Sequence, residues 1–335
     1  MGLTNFPNGI TSFGVPIYGG AMIGIGKIFF VVTEKTSTDA YYALLRENKV
    51  DENTIFTTVN AAYAATTTAR NDTVFVFPGV HTLSADLTWA NAHTHLVGLG
   101  GPNQGNGDSY TDATVITSGT SGTSSVATIT VSGAQNQFYN VFFEQNQVAA
   151  TAVTAVRITG IGNFMKSCGM AGLMDNTQDT GTASSSLELG AGSHYFRAED
   201  CTIGTNLWDV SSAINGQIYF SNTSTTNPPQ NFLFKGCTIF NQSATATNPA
   251  VHLKGNYAVD RLLEFRGCTF YNFQTNLGSA LTSGVIKDAC GTTHMILLSG
   301  GTCQYGWTDW ADVHTFVYSA VPIGSATGGT AVVTT

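Results

Sequence analysis

The apolar and polar positions of this chain follow a pattern that recurs along more than half of its length. Residues 232–241 and 263–272 match most closely, because aromatic, basic, glycine, cysteine and threonine residues fall in the same order in both. Looser copies lie at residues 138–143, 164–170, 195–203 and 296–303. Five copies contain a cysteine, at intervals of 31 to 36 residues: Cys168, Cys201, Cys237, Cys268 and Cys303. The pattern indicates a tandem structural repeat.

Each repeat consists of a short apolar strand, a bend that usually contains glycine, and a second short strand, without helical spacing. Such a repeat predicts a parallel β-helix, in which equivalent residues of successive coils stack about 4.8 Å apart. We expect the five repeat cysteines to form one inward row, because a small apolar thiol suits a buried stack. A neighbouring inward row is predicted for Phe164, Phe196, Phe234 and Phe265.

Residues 1–26 are rich in glycine and proline but also carry large apolar side chains. Such a segment cannot build its own core, yet it is too apolar for a solvated tail. We predict an extended N-terminal arm that lies against another surface, either a partner or the body of its own chain. The apolar residues expected to make this contact are Phe6, Ile10, Phe13 and Ile17.

Residues 27–304 are predicted to form the β-helix and a cap at its N-terminal end. An apolar run at 27–32 predicts a strand, and the spacing of Ile55, Val59, Ala62 and Tyr63 within residues 54–66 predicts an amphipathic helix. Residues 37–49 are either a helix or a loop, and further strands are expected within 71–83 and 94–100.

After residue 304 the repeat pattern is lost. We expect residues 305–335 to form a C-terminal cap or tail, because aromatic side chains at the end of a solenoid can cover its last coil. They can equally contact a neighbouring subunit. The aromatic residues concerned are Trp307, Trp310, Phe316 and Tyr318.

The composition excludes several classes of protein. Charged residues make up 10% of the chain and the net charge is −8, with only 13 lysines and arginines, so a nucleic-acid-binding surface is not expected. The N-terminus lacks the basic and apolar regions of a signal peptide, and the apolar residues 20–32 are too few and too interrupted to span a bilayer. The cysteines are spread one per repeat, which favours reduced thiols over a disulfide framework or a zinc site.

Carboxylates that could act as an acid–base pair are few. Glycoside hydrolysis needs two carboxyl groups about 5 to 9 Å apart, and the best candidates are Glu199 or Asp200 beside Glu264 or Asp260. These residues do not recur at matching positions, because Glu199 and Asp200 fall in an insertion and Glu264 matches Leu233 in the best copy. We therefore expect no catalytic residue.

Three further patterns receive a structural interpretation. Basic residues recur in the repeat at Arg197, Lys235 and Arg266, where one outward charge per coil would keep the surface soluble. His93 and His95 alternate as a metal pair would, but no third ligand lies nearby in sequence. The glycine-rich residues 98–103 depart from the dinucleotide-binding fingerprint and are predicted to be a turn. No metal or cofactor site is expected.

The order of elements between residues 54 and 100 points to a known family. A short helix is followed by a strand and a Pro-Gly turn within residues 72–83, and then by Leu-Val-Gly-Leu-Gly at 96–100. This order resembles the start of the right-handed parallel β-helix domains of the pectate-lyase-like superfamily, in which the helix closes the N-terminal end. The resemblance covers roughly residues 28–305. The first sixteen residues are similar to the opening of β-helix proteins from tailed-bacteriophage virions.

The resemblance implies a structural virion protein, assembled in the host cytoplasm. It would decorate or cement a bacteriophage head, with its arm on the major capsid protein or another virion protein. The alternative is a tailspike- or fibre-like protein that binds a glycan or receptor, with or without hydrolase activity. A third hypothesis is a free polysaccharide lyase. The chain leaves little room for the separate attachment and trimerisation domains of tailspikes. Viral β-helices of this kind commonly associate in threes, so a homotrimer is predicted.

Overall fold

The protein is a right-handed parallel β-helix, which confirms the predicted fold class. A computed structural model describes residues 11–12, 15–18, 21–22, 26–101, 113–118, 127–146, 154–173, 183–205, 209–210, 215–243, 245–273, 281–291, 294–312, 317–319 and 330–331. Regular structure in these residues is almost entirely β-strand. None of the described helices combines the length and the apolar character that a bilayer span requires.

The strands come in chain order as β1 Thr11–Ser12, β2 Val15–Tyr18, β3 Ala21–Met22, β4 Ile28–Val31, β5 Ile55–Phe56, β6 Asp72–Val76, β7 Gly79–Thr82, β8 Leu87–Trp89, β9 Thr94–Gly98, β10 Thr114–Thr117, β11 Ala127–Val131, β12 Gln137–Tyr139, β13 Phe142–Glu144, β14 Thr154–Ile158, β15 Phe164–Lys166 and β16 Gly169–Ala171. They continue as β17 Ser185–Leu189, β18 Arg197–Glu199, β19 Thr202–Gly204, β20 Ile218–Phe220, β21 Gln230–Lys235, β22 Thr238–Asn241, β23 Val251–Leu253, β24 Asp260–Arg266, β25 Thr269–Asn272, β26 Leu281–Asp288, β27 His294–Ser299, β28 Cys303–Tyr305, β29 Trp307–Ala311, β30 Val317–Ser319 and β31 Thr330–Ala331. The helices are α1 Ala40–Glu47 and α2 Val59–Ala64, with a 3-10 turn at Glu52–Thr54.

Three long sheets surround the core. Sheet A has the order β31-β30-β27-β24-β21-β18-β15-β12-β9-β6-β4-β5, sheet B has β28-β25-β22-β19-β16-β13-β10-β7, and sheet C has β29-β26-β23-β20-β17-β14-β11-β8. From β6 to β30 successive strands enter sheets A, B and C in turn, so each coil contributes one strand to each sheet. All pairs in these sheets are parallel except the terminal pair β30–β31.

Two helices lie near the N-terminal strands, and α2 packs against β4, β5 and β6. Helix α1 begins at Asp39, whose carboxylate accepts hydrogen bonds from the amides of Tyr41 and Tyr42; such an N-cap satisfies amides that the first helical turn leaves free. Helix α2 buries Val59 and Ala62 in the main core. The predicted helix over residues 54–66 is therefore present but shorter, because its first residues pair as strand β5.

Four of the five repeat cysteines form the predicted inward row and are buried: Cys168, Cys201, Cys237 and Cys268. Each thiol lies 3.3–3.6 Å from a backbone carbonyl oxygen of the preceding coil and donates to it. Cys303 is exposed and pairs with Thr269, so its predicted place in the row is wrong. One extra residue between Ser299 and Cys303 shifts the register, and a one-residue shift moves a side chain to the other face of the sheet.

Three of the four predicted phenylalanines are buried in the core, namely Phe196, Phe234 and Phe265, but only the last two share one row. Phe234 and Phe265 pair in register, and their ring centroids lie 5.0 Å apart. Phe164 lies on the outer face, while Phe196 precedes β18 and touches Phe234 edge-on at 6.0 Å. The cause is the distance along the chain from each phenylalanine to its cysteine, which differs among the copies. The equivalent inward residues of those two coils are Met165 and Ala198.

One residue per coil turns the chain from sheet A into sheet B with a left-handed backbone. The φ angles lie between 52° and 63° at Asn140, Ser167, Asp200, Gly236, Gly267 and Gly300. Glycine adopts this conformation without steric cost, and asparagine and aspartate tolerate it better than most residues. The glycine before each cysteine in the best repeats thus suits this corner, although asparagine, serine and aspartate occupy it in other coils.

Buried amides form a hydrogen-bonded chain beside sheets B and C. Asn241 donates to the side-chain oxygens of Asn248 at 2.7 Å and Asn272 at 3.2 Å. Gln217 donates to Asn241 at 3.0 Å and accepts from the Ser186 hydroxyl at 2.7 Å. Because a buried amide is costly only when it lacks partners, this chain lets asparagine sit inside the solenoid.

Further strands lie outside residues 27–304 at both ends of the chain. Strands β1, β2 and β3 form a separate antiparallel sheet, so residues 11–22 double back where an extended arm is predicted. At the other end, parallel pairing continues past residue 304 through β29 and β30.

Candidate functional site

The outer face of sheet A carries a row of charged side chains, one per coil. Lys166, Glu199, Lys235 and Arg266 pair in register on β15, β18, β21 and β24, and Ser299 follows on β27. We call these five residues the charged row. The sequence correctly places Lys235 and Arg266 at one repeat position, but Arg197 lies two residues earlier, beside Phe164 and Leu233. Glu199 is a strand residue and not part of an insertion.

Glu199 is the centre of this row. Its carboxylate forms an ion pair with Arg197 on the same strand, and its oxygens lie 3.9 Å from the Lys166 ammonium and 3.8 Å from the Lys235 ammonium. Its side chain is 10% exposed, whereas those of the three bases are 44–48% exposed. The carboxylate therefore lies beneath three cations.

Glu264 is fixed in the same manner. Arg266 donates from Nε and Nη2 at 2.9 and 3.0 Å, and the Ser299 hydroxyl donates at 2.6 Å. Burial raises the pKa of Glu264, but the hydrogen bonds from Arg266 and Ser299 outweigh it, so the pKa lies below its usual range. A carboxyl with a lowered pKa stays ionised at neutral pH and does not serve as a general acid.

The carboxylates proposed from sequence are not brought together as a catalytic pair. Glu199 and Glu264 lie on strands separated by β21, which puts their backbones about 10 Å apart across the sheet, with a further offset of two residues along it. Asp200 occupies the left-handed corner position. Asp260 forms an exposed ion pair with Arg261 at 3.7 Å.

The two histidines singled out in the sequence are separated by backbone conformation. His93 precedes β9 with φ of 52°, whereas His95 is a buried residue of β9. Burial lowers the pKa of His95 to about 4, with a smaller contribution from His93, so its ring is neutral near pH 7. Among the described residues, no three histidine, cysteine or acidic side chains come close enough to hold a metal ion.

A second outward row lies on sheet C and is missed by the sequence reasoning. Arg157, Glu188, Tyr219, His252 and Lys287 pair in register on β14, β17, β20, β23 and β26. The first four each stand between two buried apolar residues, whereas Lys287 stands between Ile286 and Asp288. This recurring triplet, once per coil, is the signal that could have located the row.

The sheet C row is also internally paired. Nε and Nη2 of Arg157 each lie 2.7 Å from one oxygen of Glu188, and the rings of Tyr219 and His252 meet edge-on at 5.5 Å. Burial raises the pKa of Tyr219 although Lys254 opposes the shift, so the hydroxyl stays protonated near neutral pH. Glu188, Tyr219 and His252 are buried, so the row is a paired polar layer on sheet C, and its one carboxylate is held by arginine.

The predicted partner-binding residues are only partly described. Phe6, Ile10, Phe13 and Phe316 lie outside the described residues, and Ile17 is a backbone member of β2. Trp307 is 4% exposed and donates from its indole nitrogen to the Asn248 carbonyl at 3.1 Å, so it belongs to the core of the last coil.

The other tail aromatics lie closer to the surface. Trp310 is partly buried and touches Phe270 edge-on at 5.9 Å. Tyr318 lies on β30, opposite Leu297 in sheet A. Trp307 therefore fits the cap interpretation, because a buried side chain offers no surface to a partner.

Comparison with known proteins adds distant structural likenesses. No family model and no curated protein sequence matches this chain. A pectin methylesterase in complex with a hexasaccharide is 15% identical, with a TM-score of 0.49 over 83% of this chain and 80% of the other. Carrot pectin methylesterase is 14% identical, with a TM-score of 0.46 over 91% and 90% of the two chains.

A viral protein is also among these structures. The ORF18 protein of Geobacillus virus E2 is 11% identical, with a TM-score of 0.44 over 78% of this chain. This chain matches 56% of that protein's length. At such identities the likeness concerns the β-helix fold and does not transfer an activity.

Proposed function

We propose that this protein is a structural component of a bacteriophage virion that decorates or cements the head by adhesion, without chemistry. The observation that carries the proposal is the separate antiparallel sheet of β1, β2 and β3, which belongs to none of the three sheets of the solenoid. A small module at one end of a rigid body suits attachment to another protein. The opening residues that resemble phage β-helix proteins lie in this same segment.

The absence of a chemical role is supported by the way outward carboxylates are held. Glu199 lies under three bases, Glu264 accepts from Arg266 and Ser299, and Glu188 is bound by Arg157. Paired charges of this kind contribute to a stable surface, whereas glycoside hydrolysis by two carboxyl groups needs one that holds a proton and one that is ionised, both facing a shared substrate.

The proposed partners are two further copies of the chain and a virion shell protein. A closed trimer would use the same surface of each copy, and closed symmetry limits growth of the assembly. The shell protein, in this proposal the major capsid protein, would receive residues 1–26. Native mass measurement of the purified protein tests the trimer, and a stable monomer would contradict it.

The attachment role is tested by deleting residues 2–20. We expect the truncated protein to keep the thermal unfolding midpoint and the far-ultraviolet spectrum of the solenoid, because β4 and the α1–α2 cap begin after this segment. It should fail to join particles when supplied in place of the full chain, as measured by occupancy in electron micrographs.

The matched control is a tail variant, Trp310→Ser, made in the full chain. It should be incorporated normally if the N-terminal segment is the anchor. Normal occupancy of the truncated protein would overturn the proposal, and loss of occupancy with Trp310→Ser would move the anchor to the tail.

A further inference from the structure

The outer face of sheet B carries an aromatic row near the C-terminal end. Phe240, Tyr271 and Tyr305 pair in register on β22, β25 and β28, and Phe273 follows directly after β25. We call these four residues the aromatic row. Tyr305 is 62% exposed, and the other three are partly exposed. These four side chains do not belong to the core, because β22 and β25 contribute Ile239 and Phe270 to it instead.

Three of the four rings form a continuous platform. The ring centroids of Phe240 and Tyr271 lie 6.0 Å apart at an interplanar angle of 24°, and those of Tyr271 and Phe273 lie 5.8 Å apart at 25°. The ring centroids of Phe240 and Phe273 lie 5.7 Å apart at an interplanar angle of 39°, so each of the three rings contacts the other two. Rings that hold one another in place lose little further conformational freedom when a ligand covers them, so the platform is pre-ordered.

A row of hydroxyl groups runs beside the platform. Thr202, Thr238 and Thr269 pair in register on β19, β22 and β25, two residues before the aromatic positions. Since side chains alternate across a strand, the threonines and the rings share the outer face, about 7 Å apart. No charged residue occupies these outward positions on the described strands β19, β22, β25 and β28. Besides the threonines and the aromatic residues, the positions hold Gly204 and Cys303.

The chemistry of this face fits a neutral oligosaccharide. A sugar ring has an apolar face that packs on an aromatic ring and an edge of hydroxyls that exchange hydrogen bonds with threonine. A protein partner is a poorer fit, because a stable interface buries about 800 Å² on each side. The aromatic row spans only two coil spacings, about 10 Å, by two strand positions, about 7 Å.

We propose that the aromatic row and the threonine row of sheet B form a binding site for a neutral oligosaccharide. This site goes beyond the proposed structural role and does not depend on it. Phe240, Tyr271 and Phe273 would stack on sugar rings, and Thr238 and Thr269 would exchange hydrogen bonds with sugar hydroxyls. Tyr305, the most exposed of the four, would extend the contact toward the end of the solenoid.

The test is calorimetric titration of the full chain with tetra- to hexasaccharides of the cello, malto, xylo and galacto series. A galacturonate oligomer is the charged comparison. We expect at least one neutral series to bind with a Kd below about 1 mM, while the galacturonate oligomer binds at least tenfold more weakly. Absence of binding by every neutral series, or tighter binding of galacturonate, would overturn the proposal.

Variants locate the site. Tyr271→Ala should weaken binding at least tenfold, and Tyr271→Phe should keep it within threefold, because the ring is retained. Tyr139→Ala is the matched control, since Tyr139 is a partly exposed residue on sheet A that also contacts a phenylalanine. Equal weakening by Tyr139→Ala would contradict the assignment.

Two further measurements keep the test decisive. If Tyr271→Ala does not fold, Tyr305→Ala serves instead, because Tyr305 is exposed on the last strand of sheet B; we expect it to weaken binding at least threefold. Sedimentation equilibrium of the same variants measures their oligomeric state. It tests whether the aromatic row binds a second copy of the chain instead of a saccharide. Dissociation of an oligomer by Tyr305→Ala with unchanged saccharide binding would make the aromatic row a subunit interface and overturn the proposal.

Discussion

The hydroxyl of Thr302 donates a hydrogen bond to the carbonyl oxygen of Phe265 at 2.9 Å. One coil earlier, the thiol of Cys268 lies 3.3 Å from the corresponding carbonyl, that of Phe234. Threonine thus takes over the place of cysteine in the last member of the inward row. We therefore expect that a small side chain with an oxygen donor can replace cysteine in this row.

Exchange of a buried cysteine tests this requirement. We expect Cys237→Thr to change the free energy of unfolding by less than about 1 kcal/mol, since the donor is kept. Cys237→Ala should cost about 1 to 2 kcal/mol, because it removes the donor and leaves a small cavity. Urea unfolding of both variants measures the difference. A larger loss with threonine than with alanine would show that sulfur is needed.

The left-handed corner predicts a ranking of substitutions at Gly267. A β-branched side chain is strained at φ of +62°, so Gly267→Val should destabilise the protein by about 1 to 2 kcal/mol. Gly267→Asn should cost less, because asparagine already occupies the equivalent corner at Asn140. The comparison is made by urea unfolding. Equal losses for the two variants would argue against backbone conformation as the cause.

His95 predicts a loss of stability on mild acidification. Its folded pKa of about 4 lies below the usual 6.5, so the unfolded chain binds the extra proton between these values and stability falls as the pH drops from about 6.5 to 4. Protonation of His95 should lower the free energy of unfolding by about 3 kcal/mol in total over this pH range. His95→Gln should flatten the curve in this window when urea unfolding is repeated across pH. An equally steep curve in the variant would contradict the assignment.

Removal of the central carboxylate of the charged row should leave three bases without a counter-charge. We expect Glu199→Gln to reduce stability by about 1 kcal/mol, a modest value because the bases are half-exposed. The loss should shrink in high salt, which screens the repulsion. Glu52→Gln is the control, since its pair with Arg46 at 3.4 Å is exposed on both sides; it should change stability by less than about 0.5 kcal/mol.

The paired carboxylates also predict that the purified protein does not cleave polysaccharides. Incubation with pectin, polygalacturonate and neutral glucans should release neither reducing nor unsaturated ends. Activity that is abolished by Asp200→Asn or Glu264→Gln would instead support the hydrolase or lyase alternatives. An activity unaffected by both substitutions would point to a contaminant or to a site elsewhere in the chain.

The sequence predicts the solenoid because each coil repeats the same local pattern. It fails where one residue changes the register, as with the second glycine before Thr302 and the longer distance from Phe196 to Cys201. Such shifts are visible only when coils are aligned in space, because a strand reverses the direction of its side chains at every residue.

The surfaces were harder to predict for a related reason. The charged row and the aromatic row assemble from residues about one coil apart in the chain, so no short motif marks them. The basic residues recur in the sequence at matching positions, but the carboxylates between them do not. Glu199 therefore appeared as a catalytic candidate, whereas its neighbours in space are bases.

The parallel ladders have a mechanical consequence. Hydrogen bonds between coils point along the solenoid axis, so tension applied between the two ends loads the contacts of one coil at a time. Unfolding of one coil of about 33 residues would add roughly 100 Å of extended chain, since an extended residue spans about 3.3 Å. Under tension the molecule would lengthen in regular steps, and each step would dissipate mechanical work as one coil unfolds.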